Sequence, residues 1–164
     1  MYFVCSYSKK IYNNIKKPIT FSDIGKPLEV RYHWEGVKKD IDVDESQKTL
    51  WRYKSVLPKV NNIISLGEGY TPLQQLAPDL YVKNETVNPT GSFKDRGMSL
   101  AVTLAKAQGV EEICLPSAGN AGISAAAYCK EAGIKCHVFL PETIPSEYKN
   151  CLLYTSPSPR DNTT

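Results

Sequence analysis

Hydrophobic and polar positions fall into a regular pattern only in the second half of the chain. Leu80–Lys83 reads as a strand, and Asn88–Gly91 as a turn built on Pro89 and Gly91. From Ser92 to Gln108 the apolar residues Met98, Ala101, Val102 and Ala105 recur at i, i+3, i+4 and i+7, predicting a helix that Gly109 closes. Ile113–Pro116 is a short apolar strand followed by a Ser-Ala-Gly-Asn turn. Asn120–Ala132 is a second helix stopped by Gly133, and Lys135–Leu140 a third strand. Strand, helix, strand, helix, strand at this spacing predicts an α/β fold with right-handed crossovers and a mainly parallel sheet flanked by helices in three layers. The first sixty residues are less regular. Pro27–Tyr32 is strand-like, Lys38–Glu45 is a mixed charge run expected on a solvated surface, and Lys48–Leu57 suits a short helix stopped by Pro58.

Composition narrows the function classes. Twenty Lys and Arg against seventeen Asp and Glu leave a net charge of +3, which makes no electrostatic case for nucleic acid or an anionic membrane. No apolar run approaches the roughly 18 residues a membrane helix needs, and residues 1–10 lack the apolar core of a secretory signal. The five cysteines (Cys5, Cys114, Cys129, Cys136, Cys151) form no C-x-x-C pair, and the two histidines are His33 and His137. That scatter argues against a metal site. Cys114, Cys129 and Cys136 are expected to pack as small hydrophobes in a reducing, cytoplasmic setting.

Two loops carry the candidate chemistry, because ligands of open α/β sheets bind where strands lead into helices. In Asn88–Gly97, Ser92 and Asp95 have the spacing of a capping box, which starts the helix at Ser92 and puts Lys94 in its first turn. The helix dipole there disfavours an ammonium and favours a neutral, nucleophilic amine. On spacing alone, a solvated lysine with no role is the simpler reading. In Ser117–Gly122, small residues let a ligand approach the backbone, and N–H groups at a helix start suit a carboxylate or phosphate. Taken alone, this too is a helix cap and turn.

The two loops in this order resemble a known family. Val82-Lys83-Asn84-Glu85 running into Asn88-Pro89-Thr90-Gly91-Ser92-Phe93-Lys94-Asp95-Arg96-Gly97 is similar to threonine synthase, among the pyridoxal-phosphate enzymes that share the tryptophan-synthase β-subunit fold (fold type II). Gly67-Glu68-Gly69-Tyr70-Thr71-Pro72-Leu73 resembles the segment preceding the lysine loop. Trp51-Arg52-Tyr53 with Leu57-Pro58 resembles the lead-in, and Ser117–Tyr128 the asparagine loop and its helix. The resemblance implies that Lys94 holds pyridoxal 5'-phosphate as a Schiff base and then serves as base for the substrate α-proton. It implies that Asn120 bonds the ring hydroxyl, and that the backbone of Ser117, Ala118, Gly119, Asn120 and Ala121 seats the amino-acid carboxylate. The implied reaction converts O-phosphohomoserine and water to threonine and phosphate, in a cytoplasmic enzyme that is commonly a homodimer. Ala118 and Ala121 stand where relatives often carry hydroxyls, which weakens the choice of substrate. Phe21-Ser22-Asp23-Ile24 lacks the cysteines of the zinc ribbon found in some relatives. A serine or threonine dehydratase of the same fold is the alternative enzyme, and a non-catalytic relative acting as a binding module the alternative class. Retention of both Lys94 and Asn120 argues against the latter.

Residues 1–66 are therefore expected to be an irregular, reduced zinc-ribbon-like lead-in, and 67–150 the start of the cofactor-binding α/β region. Cys151–Asp161 breaks the pattern with two Ser-Pro pairs and resembles a reading frame of a transposase-based sequencing adapter. On that expectation 151–164 is a non-native tail, the α/β fold is incomplete, and the polypeptide lacks the family's phosphate-cradling loop and does not turn over substrate.

Overall fold

The computed structural model describes residues 2–13, 19–32, 41–144, 146, 147, 149 and 150. His33, the 38–40 part of the charge run, Pro145, Tyr148, Cys151 and the whole of 151–164 lie outside the described residues, and with them the expected non-native tail. The chain divides into two compact units, Met1–Val43 with Tyr53–Lys59, and Asp44–Arg52 with Val60–Thr164.

The first unit holds a three-stranded antiparallel sheet of order β2-β1-β3, with β1 Tyr2–Cys5, β2 Ile11–Tyr12 and β3 Leu28–Arg31. Only β3 carries a sequence signal. Tyr2-Phe3-Val4 and Ile11-Tyr12 are strong strand formers, but too short to show an alternation of their own, and pairing with each other and with β3 completes them. Cys5 is buried, and its thiol bonds Ser22 Oγ at 3.4 Å.

The second unit is α/β. β4 Leu73–Ala77 and β5 Leu80–Lys83 form an antiparallel hairpin. α1 runs over Lys94–Ala107, β6 over Glu112–Pro116, α2 over Asn120–Ala132 and β7 over Lys135–Phe139. β6 and β7 pair in parallel across α2, from Glu112 opposite Lys135 to Pro116 opposite Phe139. The expected α/β class holds, but a mainly parallel three-layer sheet does not form among the described residues. Leu80–Lys83 turns back on Leu73–Ala77 through Pro78-Asp79 instead of joining β6, so two of the three sheets are antiparallel. Lys48–Leu57 yields only a 3-10 turn at Leu50–Tyr53. Its Leu50 N–H is drawn to the Glu68 carbonyl at 2.8 Å, and the Trp51 indole N–H to Ser99 Oγ at 2.9 Å. These long-range bonds override local helix formation.

α1 packs on α2 around Val102, Tyr128, Cys129, Ala132 and Ile134, with Met98, Ala105, Ile64 and Cys136 against them. The buried stripe of α1 is Asp95, Ser99, Val102 and Thr103, so Ala101, expected on the packed face, is exposed. The polar members of that stripe hold the preceding segment. Ser99 Oγ donates to Ile64 O at 2.7 Å, and Thr103 Oγ1 accepts from Ile64 N–H at 2.9 Å. Cys129 is buried and Cys136 half-buried as expected, whereas Cys114 is exposed on β6. Among the described residues no group of three His, Cys, Asp or Glu could hold a metal ion, and no helix is long and apolar enough to cross a membrane.

α2 sits close to its strand because residue 122 has no side chain. A Cβ at Gly122 would stand 2.9 Å from Val138 Cγ1 and 3.3 Å from Ser117 Cβ. Neither neighbour is a flexible tip, so Gly122→Ala is expected to lower stability by about 1–3 kcal/mol, read from the denaturant midpoint.

Candidate active site

Both predicted site loops end in the first turn of a helix, but the helix starts differ from the simple reading. α1 begins at Lys94, two residues after Ser92, and Ser92 Oγ accepts the Lys94 N–H at 3.3 Å. The capping box does not close. The Asp95 carboxylate that would complete it is fully buried and engaged elsewhere. It accepts the Thr90 N–H at 2.7 Å, Thr90 Oγ1 at 2.5 Å and Ser124 Oγ of α2 at 2.6 Å. No sequence spacing announces a contact between residues 95 and 124.

Lys94 itself is half-buried. Its Nζ lies 4.4 Å from the centroid of the Phe93 ring and makes no ion pair among the described residues. At the head of α2, Ser117 Oγ accepts the Gly122 N–H at 2.9 Å and the Gly119 N–H at 3.4 Å, so the side chain of Ser117 caps the helix. Asn120 is the first helical residue, exposed, and its side-chain amide has no partner among the described residues. The N–H groups of Ala118, Asn120 and Ala121 likewise meet no acceptor there, and lie where the helix dipole favours an anion. Ala118 is exposed, while Gly119 and Ala121 are half-buried.

The segments around these loops are bonded to one another by side chains the sequence reading left without a role. Glu68 is fully buried, and its carboxylate accepts Ser65 Oγ, the Leu66 N–H at 3.0 Å and the Tyr128 hydroxyl at 2.8 Å. Burial, then the adjoining Glu68 carboxylate, push the Tyr128 hydroxyl well above its usual range, so it stays a donor. The Gly69 N–H reaches Asn88 Oδ1 at 2.9 Å. Here φ is +89° and a Cβ would meet the Leu50 backbone nitrogen at 2.8 Å, so only glycine fits. Glu85 takes two bonds from Arg96, at 2.8 and 2.9 Å, with Thr71 Oγ1 at 2.7 Å and Asn88 Nδ2 at 2.9 Å. The Arg96 guanidinium chiefly, with Thr71 and Asn88, holds the Glu85 carboxyl down at about 2.

A sequence model of a family described as pyridoxal-phosphate dependent enzyme matches residues 64–154, more than half of the chain. The chain belongs to that family. The match covers both site loops and the polar segments that brace them. The chain is 43% identical over 133 residues to a threonine synthase of Methanocaldococcus jannaschii, covering 73% of this chain and 33% of that protein. It is 48% identical over 102 residues to a threonine synthase of a Bacillus species (strain ULM1), covering 57% of this chain and 29% of that protein. For a threonine synthase of Methanosarcina acetivorans the figures are 38% over 123 residues, 70% and 30%. The chain thus spans about a third of the length of these relatives. Family membership brings pyridoxal phosphate, and the residues present suit that group. Among the described residues the amine of Lys94 makes no ion pair, the Asn120 amide has no partner, and N–H groups without an acceptor stand beside Asn120.

Glu85 makes stability depend on acid. Its carboxyl is depressed from 4.5 to about 2, so its contribution is fully present above about pH 4.5 and is lost as the pH falls towards 2. Glu85→Gln is expected to cost about 1–3 kcal/mol at pH 6 in denaturant titrations, with the gap to the parent closing below pH 3. A gap that stays constant between pH 6 and 2.5 contradicts the assignment.

Proposed function

We propose that this chain is part of a threonine synthase, a fold type II enzyme that converts O-phosphohomoserine and water to threonine and phosphate. The observation that carries the reading is the bonding of three of the four resembling segments to one another. Glu68 meets Tyr128, Thr71 meets Glu85 and Arg96, and Asp95 meets Ser124, while among the described residues the Lys94 amine has no ion pair and the Asn120 amide no partner. A bracing network that spares those two side chains suits a site that must receive a ligand. Sequence identity of 38–48% to threonine synthases supports the same choice of substrate.

Bound pyridoxal phosphate supplies an aldehyde for covalent attachment and a ring that draws off the electron pair released at the substrate α-carbon. Lys94 would provide the attachment point through Nζ and, once displaced by the substrate amine, would take the α-proton at the same atom. Asn120 would donate its side-chain amide to the ring hydroxyl oxygen. The Asn120 and Ala121 N–H groups would bind the substrate carboxylate, with Ser117 fixing the helix start that aims them. Ala118 and Gly119 leave the backbone accessible there. The reading extends to a cytoplasmic setting and a homodimer.

Lys94→Ala is expected to abolish the absorbance that pyridoxal phosphate acquires on attachment and to lower turnover by on the order of 10²–10⁴. An unchanged spectrum moves the attachment point elsewhere. A protein carrying this chain at the length of its relatives, given O-phosphohomoserine, is expected to form threonine and phosphate in equal amounts. Conversion of serine or threonine to an oxo-acid and ammonia, without phosphate release, assigns it instead to the dehydratases.

A further inference from the structure

The buried carboxylate of Asp95 has a part that neither the attachment lysine nor a helix cap accounts for. It follows Lys94 directly in the first turn of α1, and its three donors come from two other segments. Two are the backbone and hydroxyl of Thr90, in the loop that delivers the chain to Lys94. The third is the hydroxyl of Ser124, four residues into α2 from Asn120 and therefore on the same helical face, about 6 Å along the axis. A serine inside a helix usually turns its hydroxyl to a carbonyl of its own preceding turn or to solvent. Ser124 is fully buried and donates across the helix interface instead.

The carboxylate has no lysine or arginine partner among the described residues, so these three donors are what satisfy it. A buried carboxylate deprived of a donor costs far more than an ordinary hydrogen bond, which makes the arrangement stiff. Lys94 is one residue from this anchor and Asn120 one helical turn from it. Rotation or sliding of α1 against α2 at their N-terminal ends would break the Ser124 bond first. We propose that Asp95 is a positioning residue: by joining Thr90 and Ser124 it sets where the Lys94 amine stands relative to the Asn120 amide. The proposal rests on the reading of Lys94 as the attachment point.

The test traps attachment rather than turnover. The 164-residue chain is incubated with pyridoxal phosphate and reduced with borohydride, and the pyridoxyl group is mapped across its lysines by mass spectrometry. Parent chain, Ser124→Ala, Asp95→Asn and Tyr128→Phe are compared, with thermal midpoints measured alongside. Tyr128→Phe removes another buried bond from α2 to a carboxylate, that of Glu68, and controls for lost stability. Preferential labelling of Lys94 is expected in the parent and in Tyr128→Phe. In Ser124→Ala and Asp95→Asn the preference for Lys94 over other lysines is expected to fall about tenfold. Ser124→Ala keeps both Thr90 bonds, so it reports on the link between helices even where Asp95→Asn does not fold. Parent-like preference in Ser124→Ala, or an equal loss in Tyr128→Phe, overturns the positioning role while leaving the attachment site standing. Indiscriminate labelling of the parent chain overturns the attachment reading, and this inference with it.

Discussion

A carboxylate taken out of water must find hydrogen-bond donors, and in the second unit Asp95 and Glu68 find theirs on segments far apart in sequence. Asp95 draws Thr90 and Ser124 together; Glu68 draws in Ser65, Leu66 and Tyr128. Neither has a cationic partner among the described residues, so each depends on all of its donors being present at once. Apolar contacts around Val102, Tyr128 and Ile134 supply much of the burial, but they are tolerant of small displacements. The carboxylates are not. Asp95 fixes how the lysine loop and α1 meet α2, and Glu68 how the 64–71 segment meets α2.

That constraint separates two kinds of polar residue. Asp95, Glu68, Glu85, Asn88 and Ser117 have their hydrogen-bonding capacity directed inward, to backbone or to one another. Among the described residues Lys94, Asn120 and the amides that open α2 do not. Both open side chains are the first residue of a helix, where the backbone is rigid; at the start of α2, though not of α1, main-chain donors without an acceptor among the described residues stand beside the side chain. The fold therefore supplies accurate placement and chemical availability at the same positions. Ligand sites need both, and a loop alone gives only the second.

How much of this could be read from the sequence follows from the range of the forces involved. α2 was predicted at its observed bounds, because the small-residue stretch 120–132 is followed by a glycine with φ +64°. Leu80–Lys83 was predicted as a strand, but its partner was not. Pro78-Asp79 is not one of the glycine pairs that mark a two-residue hairpin, Leu-Gln-Gln-Leu-Ala before it has weak strand propensity, and both strands are exposed. β1 and β2 carry aromatic and β-branched residues, but in runs of four and two these do not distinguish a strand until the partners pair. In the lysine loop the S-x-x-D spacing was real, but a carboxylate at that spacing has two possible uses. Burial against α2 decided between them. Lys94 and Asn120 were legible as helix-start residues, while their bracing was not, since Asp95 and Ser124 are 29 positions apart.

The same physics bears on Ala118 and Ala121, which the resemblance leads one to expect as hydroxyl positions. A hydroxyl at either would add a side-chain donor to the head of α2. The donors already there are main-chain N–H groups, whose number and direction depend on the helix start and not on the side chain. Ser117 fixes that start through Gly119 and Gly122, and Gly122 lets α2 seat against Val138. On the proposed reading, carboxylate binding therefore survives alanine at both positions. Discrimination among substrates by hydroxyl contacts does not. On that reading the two alanines bear on selectivity rather than on the presence of a carboxylate site, and substrate choice would rest on groups other than these two side chains.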